Sequence, residues 1–246
     1  MTDHPTLFSG AMVRANNDGR KTQTRRLLTP KNLRIWTGGL DYGGKFVKTD
    51  ASTFAAAMNN ARDFRFVGHT LSWVTDPASH QRTAVMAQWQ GKLSIAIGDR
   101  LWVRESWRAL LEADKAAPSE LRPHAPITYE ANGSPFEGRL RASMHMPRWA
   151  SRTTLIVEAI RIERLQDISE ADAKAEGLEW IAPTFGVSGI ASTWNSDPVA
   201  SYAALWNHIN GSGAWEENPW VIAYTYRVIR RNIDQIDAAD APAARP

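Results

Sequence analysis

Between positions 14 and 34 lie Arg14, Arg20, Lys21, Arg25, Arg26, Lys31 and Arg34, and the only acid among them is Asp18. Such a cluster is an electrostatic footprint for phosphate or another anion, although a merely solvated basic face has the same composition. Inside it, Lys21-Thr22-Gln23-Thr24-Arg25-Arg26 reads as an extended segment with two polar faces, which suits the mouth of a cleft better than a core. The chain has no cysteine. Disulfides, thiolates and cysteine-based zinc sites are therefore excluded, and a nucleophile must be a hydroxyl, an amine or a carboxylate. The histidines, at positions 4, 69, 80, 124, 145 and 208, show no pair at one-turn helical spacing, so no metal is expected. Neither a glycine-rich phosphate loop nor a nucleophile elbow is present, which argues against the common NTPase and hydrolase folds, and no cofactor is expected. The 11 tryptophans serve as core filler or as platforms on which bases stack.

The elements that must position these residues follow from length and pattern. With 246 residues, 43% hydrophobic and 22% charged, the chain is long enough to bury a real core and has an ordinary globular composition. A net charge of +3 does not by itself announce a nucleic-acid binder. No stretch approaches the roughly 20 apolar residues of a membrane helix, and MTDHPTLFSG lacks a signal-peptide layout, so a cytoplasmic location is expected.

Ser9 is an N-cap for a short helix that ends near Gly19. Pro30 to Gly91 reads as an insertion of mixed structure containing an alanine-rich helix, ASTFAAAMNNAR. Gly98-Asp99 turns into a strand, RLWVRESW, and ITYEA is a second, shorter one. Thr153 to Leu165 is a β-branched run expected to be a central strand. Ser169-Glu170-Ala171-Asp172 opens a helix that runs through Glu176 to a stop at Gly177. Asp197-Pro198 caps a longer helix, with Val199, Tyr202, Ala203, Trp206 and Ile209 on one face and Gly211 at its end. WVIAYTYRVI is the closing strand. Residues 232–246 are expected to form a flexible tail.

The order of these pieces resembles a known family. A helix, Gly19-Arg20-Lys21-Thr22-Gln23-Thr24-Arg25-Arg26, a Gly98-Asp99 strand, a long strand, the Leu165-to-Gly177 helix motif and a final aromatic strand are together similar to the ASCH domain of the PUA-like superfamily. Met146 to Arg152, MPRWASR, looks like the enlarged members carried by bacteriophages and prophages. The resemblance implies an α+β fold: a small mixed β-barrel flanked by helices, spanning 1–231 as one domain, with insertions at about 30–92, 108–147 and 179–198. A phage-encoded protein acting in the bacterial host cell is implied as well.

Compact ASCH enzymes hydrolyse the acetyl amide of N(4)-acetylcytidine with a lysine, a threonine three residues later and a glutamate in the helix after the barrel. Lys21, Thr24 and Glu176 stand at the matching positions. The resemblance thus implies a metal-independent amidohydrolase in which Thr24 is the nucleophile, Lys21 its base, and Glu176 acts on the substrate amide. Arg26 would orient the pyrimidine or its phosphate, whereas in a binding module Arg20, Arg25 and Arg26 would contact phosphate and Trp102 or Trp149 would stack on a base. The same cleft could instead belong to a non-catalytic module that binds RNA or modified DNA, or to an ASCH-type ribonuclease. Read purely structurally, Lys21 is a solvated strand-end lysine, Thr24 an ordinary β-former and Glu176 a last-turn surface residue. In a regular strand, positions 21 and 24 face opposite ways. A shared site therefore needs a turn near Gly19 to Lys21 or the reach of the lysine stem.

Overall fold

The computed structural model describes residues 1–35, 54, 57–58, 61–75, 87–133 and 135–237. It is an α+β molecule rich in strands. In chain order come β1 (Asp3–Leu7), α1 (Gly10–Asn17), β2 (Gln23–Leu27), β3 (Leu33–Ile35), β4 (Ala61–Val67), β5 (Thr70–Thr75) and β6 (Ala87–Leu93). Then follow β7 (Arg100–Arg104), β8 (Trp107–Ala109), β9 (Ile127–Tyr129), β10 (Thr154–Arg164) and α2 (Glu170–Ala175). The last are β11 (Glu179–Ile181), β12 (Thr184–Val187), β13 (Ile190–Asn195), α3 (Pro198–Asn210) and β14 (Trp220–Ile229). The alanine-rich segment 51–62 lies largely outside the described residues.

The main sheet has the order β1-β7-β10-β14-β2. Its first pair is parallel and the other three are antiparallel. Strand β10 sits at its centre because Leu155, Ile156 and Val157 are all buried, so both faces of the strand are covered. Strands β1 and β2 are the two edges, and Arg26 in β2 donates from Nη2 to the Leu7 carbonyl at 3.1 Å. An arginine's length therefore spans the gap between edges, which requires a strongly curled sheet.

Each stretch expected as an insertion builds a small sheet of its own. Strands β3-β6-β5-β4 form one, β8-β9 a second and β11-β12-β13 a third. The first is not a separate body. Leu33, Ile35, Leu71, Trp73 and Leu93 share one buried cluster with Leu101, Leu155, Val157 and Tyr226 of the main sheet.

Local chemistry sets the turns. Gly98 takes φ +89°, open to glycine at little cost, and delivers Asp99 inward with 1% exposure. The Asp99 carboxylate accepts the backbone N–H groups of Thr2 at 2.7 Å and Ala96 at 3.0 Å, tying the β1 start to the β7 start. Ser9 caps α1 by accepting from Met12 N, and Ser169 caps α2 by accepting from Asp172 N. Asp197 caps α3 with Pro198 in its first turn.

Two expectations change. The packed face of α3 is Ser201, Tyr202, Leu205 and Trp206, whereas Ile209 is 51% exposed, because the helix lies on β12, β13 and α2 and turns Leu205 inward. Residues 232–236, expected to be tail, are docked. Asn232 donates its side-chain amide to the carbonyls of Arg148, Trp149 and Ser151, Ile233 is fully buried, and Arg148 pairs with Asp234. Among the described residues, no helix is long and apolar enough to cross a membrane.

Candidate functional site

The site is built where the end of α1 meets the end of α2. Gly19 adopts φ +76°, and the chain then runs back so that the N–H groups of Arg20 and Lys21 both donate to the Ala15 carbonyl at 3.0 Å. Lys21 forms an isolated bridge with Glu176, and Thr22 N donates to the Ala175 carbonyl at 2.9 Å before β2 begins at Gln23. The turn anticipated near Gly19 is therefore present. Lys21 precedes the strand instead of alternating within it.

Lys21 is fully buried and Glu176 is 5% exposed, so neither is the surface residue of the purely structural reading. The Lys21 ammonium donates to Glu176 Oε2 and to the Glu176 carbonyl, each at 2.8 Å. Burial holds the Lys21 amine below its ordinary range, against the opposing pull of the Glu176 carboxylate. The other carboxylate oxygen, Oε1, accepts from Arg25 Nη1 at 3.0 Å. Arg25, with no side-chain exposure, also meets Glu163 at 2.8 Å and Asp172 at 3.3 Å. Burial alone would lower the Arg25 pKa, but Glu176 and Glu163 outweigh it and raise it. Arg161 closes the chain of alternating charges, donating to Asp172 at 2.7 Å and Glu163 at 3.2 Å.

Two adjoining cavities open beside this network. The smaller, about 380 Å³, is lined by Thr24, Arg25, Arg26, Glu176, Tyr202 and neighbours from α3. The larger, about 430 Å³, is mostly apolar, with Phe8, Met12, Val187, Ile190 and Leu205 in its wall. Met12, Arg26, Glu176, Leu205 and Ile209 line both. Ile209, left out of the packed face of α3, is thus part of the wall of both cavities. Burial pushes the Tyr202 phenol well above its ordinary value, so it lines the wall as a neutral hydroxyl.

Thr24 and Glu176, 152 positions apart by their numbers, therefore share one cavity wall. Lys21 does not line either cavity and reaches the site through Glu176. Among the described residues, no hydrogen bond joins the Thr24 hydroxyl to Lys21.

The basic cleft of the sequence differs from the one that forms. Arg25 is consumed by three carboxylates, and Arg20 pairs with Asp18 at 2.8 Å while donating to the Gly177 carbonyl. Only Arg26 of the three arginines keeps a half-buried guanidinium lining both cavities, stacked 5.6 Å from the Phe8 ring. Trp102 is 9% exposed with the Arg104 guanidinium over its ring, and Trp149 packs in the cluster around Trp107. Neither tryptophan lines these cavities.

Sequence reasoning missed the apolar wall and the partners of Arg25. Glu163 and Asp172 stood in view as charges at the end of a β-branched run and in a cap, without a spacing that tied them to Arg25. Among the described residues, no three His, Cys, Asp or Glu side chains are arranged to hold a metal ion. No protein-family model, curated protein or solved structure matches the chain.

Proposed function

We propose that this protein is an amidohydrolase that removes an acyl group from the exocyclic nitrogen of a cytidine-like base, with N(4)-acetylcytidine as the reference substrate. One observation carries the reading: a buried Lys21–Glu176 ion pair stands behind the cavity wall to which Thr24 belongs. Removing two such ions from water costs several kcal/mol each, and a well-packed apolar pair is often as stable or more so. The pair is therefore better explained by chemistry than by stability.

In this scheme the Thr24 hydroxyl attacks the acyl carbonyl and its proton passes to the Lys21 amine in its neutral form, which burial favours. The C–N bond breaks, the proton moves to the leaving nitrogen, and water then releases the carboxylic acid from Thr24. Glu176 keeps free lone pairs on both oxygens and accepts the N–H of the scissile amide. Arg26 holds the pyrimidine oxygen or a phosphate. The curled sheet bridged by Arg26 and Leu7 supports a PUA-like barrel as the scaffold, and with it the ASCH resemblance. A bacterial cytoplasm, reached through a phage genome, fits this substrate.

A second reading, a binding module for RNA or modified DNA, is favoured by the missing Thr24–Lys21 contact, since an assembled nucleophile and base lie within hydrogen-bond reach. Incubation of the protein with N(4)-acetylcytidine, following release of cytidine, separates the two. Absence of turnover with retained binding of the nucleoside selects the module.

A further inference from the structure

The stretch carrying β8 and β9 forms a second opening whose wall is basic. A cavity of about 430 Å³ is lined by Lys115, Arg139, Arg141 and His145, with Pro118 and Ala142 beside them. Among the described residues that line it, none is acidic. Lys115, Arg139 and His145 are exposed, whereas Arg141 is 4% exposed. The Arg141 guanidinium is fixed by bonds to the carbonyls of Ala113 at 2.7 Å and Ala116 at 3.0 Å, and it lies 5.2 Å from the Trp107 ring. Its Nε has no hydrogen-bond partner among the described residues. The nearby acid Asp114 is already occupied, its two oxygens accepting the Arg139 backbone N–H at 2.8 and 3.0 Å. Burial and then the Arg139 charge hold the Arg141 pKa down, with Asp114 opposing, so an incoming anion would relieve the repulsion between the two arginines.

One stretch of chain borders both this basic opening and the apolar cavity. Ser143 lines the larger cavity of the candidate site, while Ala142 and His145 line the basic one, so the turn Ser143–His145 stands between them. Arg104 pins that turn, donating to the carbonyls of Met144 and, at 3.2 Å, Met146. Consecutive Cα atoms are about 3.8 Å apart, so the wall residues Ala142 of the basic opening and Ser143 of the apolar cavity are immediate neighbours.

We infer that this pocket seats the phosphodiester backbone of a single-stranded nucleic acid whose base enters the larger, apolar cavity, which shares Arg26 and Glu176 with the cavity that Thr24 lines. The phosphate assignment stands on the four basic side chains, and the choice of base rests on the proposed amidohydrolase reading. A single strand fits best because a base inside a duplex cannot enter a cavity without leaving its stack. Guanidinium and ammonium groups meeting phosphate release counterions, which makes the contact salt-dependent.

The test uses the full chain and short fluorescein-labelled single-stranded RNA and DNA, with binding followed by anisotropy across a salt series. The double variant Lys115→Gln/Arg139→Gln removes two exposed charges and leaves the buried Arg141 in place. Its affinity should fall about tenfold, and the slope of log affinity against log salt should shrink by about 1.4, two contacts at about 0.7 each. Turnover of free N(4)-acetylcytidine should be unchanged. Unaltered affinity and slope, or no binding of either oligonucleotide by the wild type, would overturn the inference. Displacement by polyglutamate as effective as displacement by unlabelled RNA would overturn it in favour of an acidic peptide. Loss of RNA binding in the double variant, with no nucleoside turnover by the wild type, would keep the pocket and sink only the amidohydrolase reading.

Discussion

Glu176 holds Lys21 twice, through its carboxylate and through its own carbonyl oxygen, both at 2.8 Å, while its second carboxylate oxygen is held by Arg25 at 3.0 Å. The two cations are not equivalent in what their loss leaves behind. Without Lys21, Glu176 remains paired to Arg25. Without the Glu176 charge, Lys21 is a fully buried ammonium facing one carbonyl.

Glu176→Gln should therefore destabilise the protein by about 3–5 kcal/mol, the cost of leaving a buried charge uncompensated. Lys21→Met, which removes the costly ammonium and keeps the stem, should cost distinctly less. Urea unfolding of both variants checks the order, and equal losses would show that Arg25 does not compensate.

Thr24→Ala should abolish release of cytidine from N(4)-acetylcytidine while shifting stability by no more than about 1 kcal/mol, since one hydroxyl is lost from a cavity wall. Isothermal calorimetry should find nucleoside affinity nearly intact. Residual turnover close to the wild-type rate would remove Thr24 as the nucleophile.

The pH dependence follows from Lys21 and Asp172. Burial lowers the Lys21 pKa below its ordinary 10.5, so the unfolded chain binds the proton more tightly than the folded one. Its share of stability is complete above 10.5 and is lost as pH falls through the folded value. Relative to Lys21→Met, the wild type should gain stability as pH rises toward 10.5, and turnover should rise with pH along a limb below that of an ordinary lysine. Burial would raise the Asp172 pKa, but Gln23, Arg161 and Arg25 outweigh it and lower it beneath 3.8. That contribution is present above 3.8 and lost as pH falls through the lower folded value. Asp172→Asn should flatten the acid limb of a stability–pH curve, and an unchanged limb would assign it to other carboxylates.

Gly177→Ala should damage the site without replacing a charged residue. Gly177 has φ +101°, and a Cβ there would sit 2.9 Å from the Ala15 Cβ and 3.0 Å from the Lys21 Cβ. Backbone strain of this kind costs about 1–3 kcal/mol, and the displaced Lys21 should lower turnover further than the stability loss explains. Thermal midpoint and kcat measured together test this.

Much of the frame was legible because local rules decide it. Ser9, Ser169 and Asp197 cap their helices as their side chains dictate, and the strand Thr154–Arg164 is central because its continuous apolar start, Leu155–Val157, needs cover on both faces. The pairing of Lys21 with Glu176 was reachable only through resemblance, since neither residue type nor spacing reveals a contact made across the fold. Arg25 shows the limit. In the sequence it is one cation of a basic run, and only the third dimension supplies Glu163, Asp172 and Glu176 to neutralise it. The face of α3 was misjudged for a similar reason: helical periodicity gives a stripe, while the neighbours that cover it determine where the stripe is centred.

The bridge between Lys21 and Glu176 closes a loop of 155 positions. Contacts so distant form late, because their closure entropy is met only after the intervening strands have paired. The capped helices can form early in a refolding chain, but the ion pair cannot exist until β2, β10 and β14 are assembled. Recovery of turnover is thus a clock for completion of the whole molecule, and it should lag behind the return of helical circular dichroism.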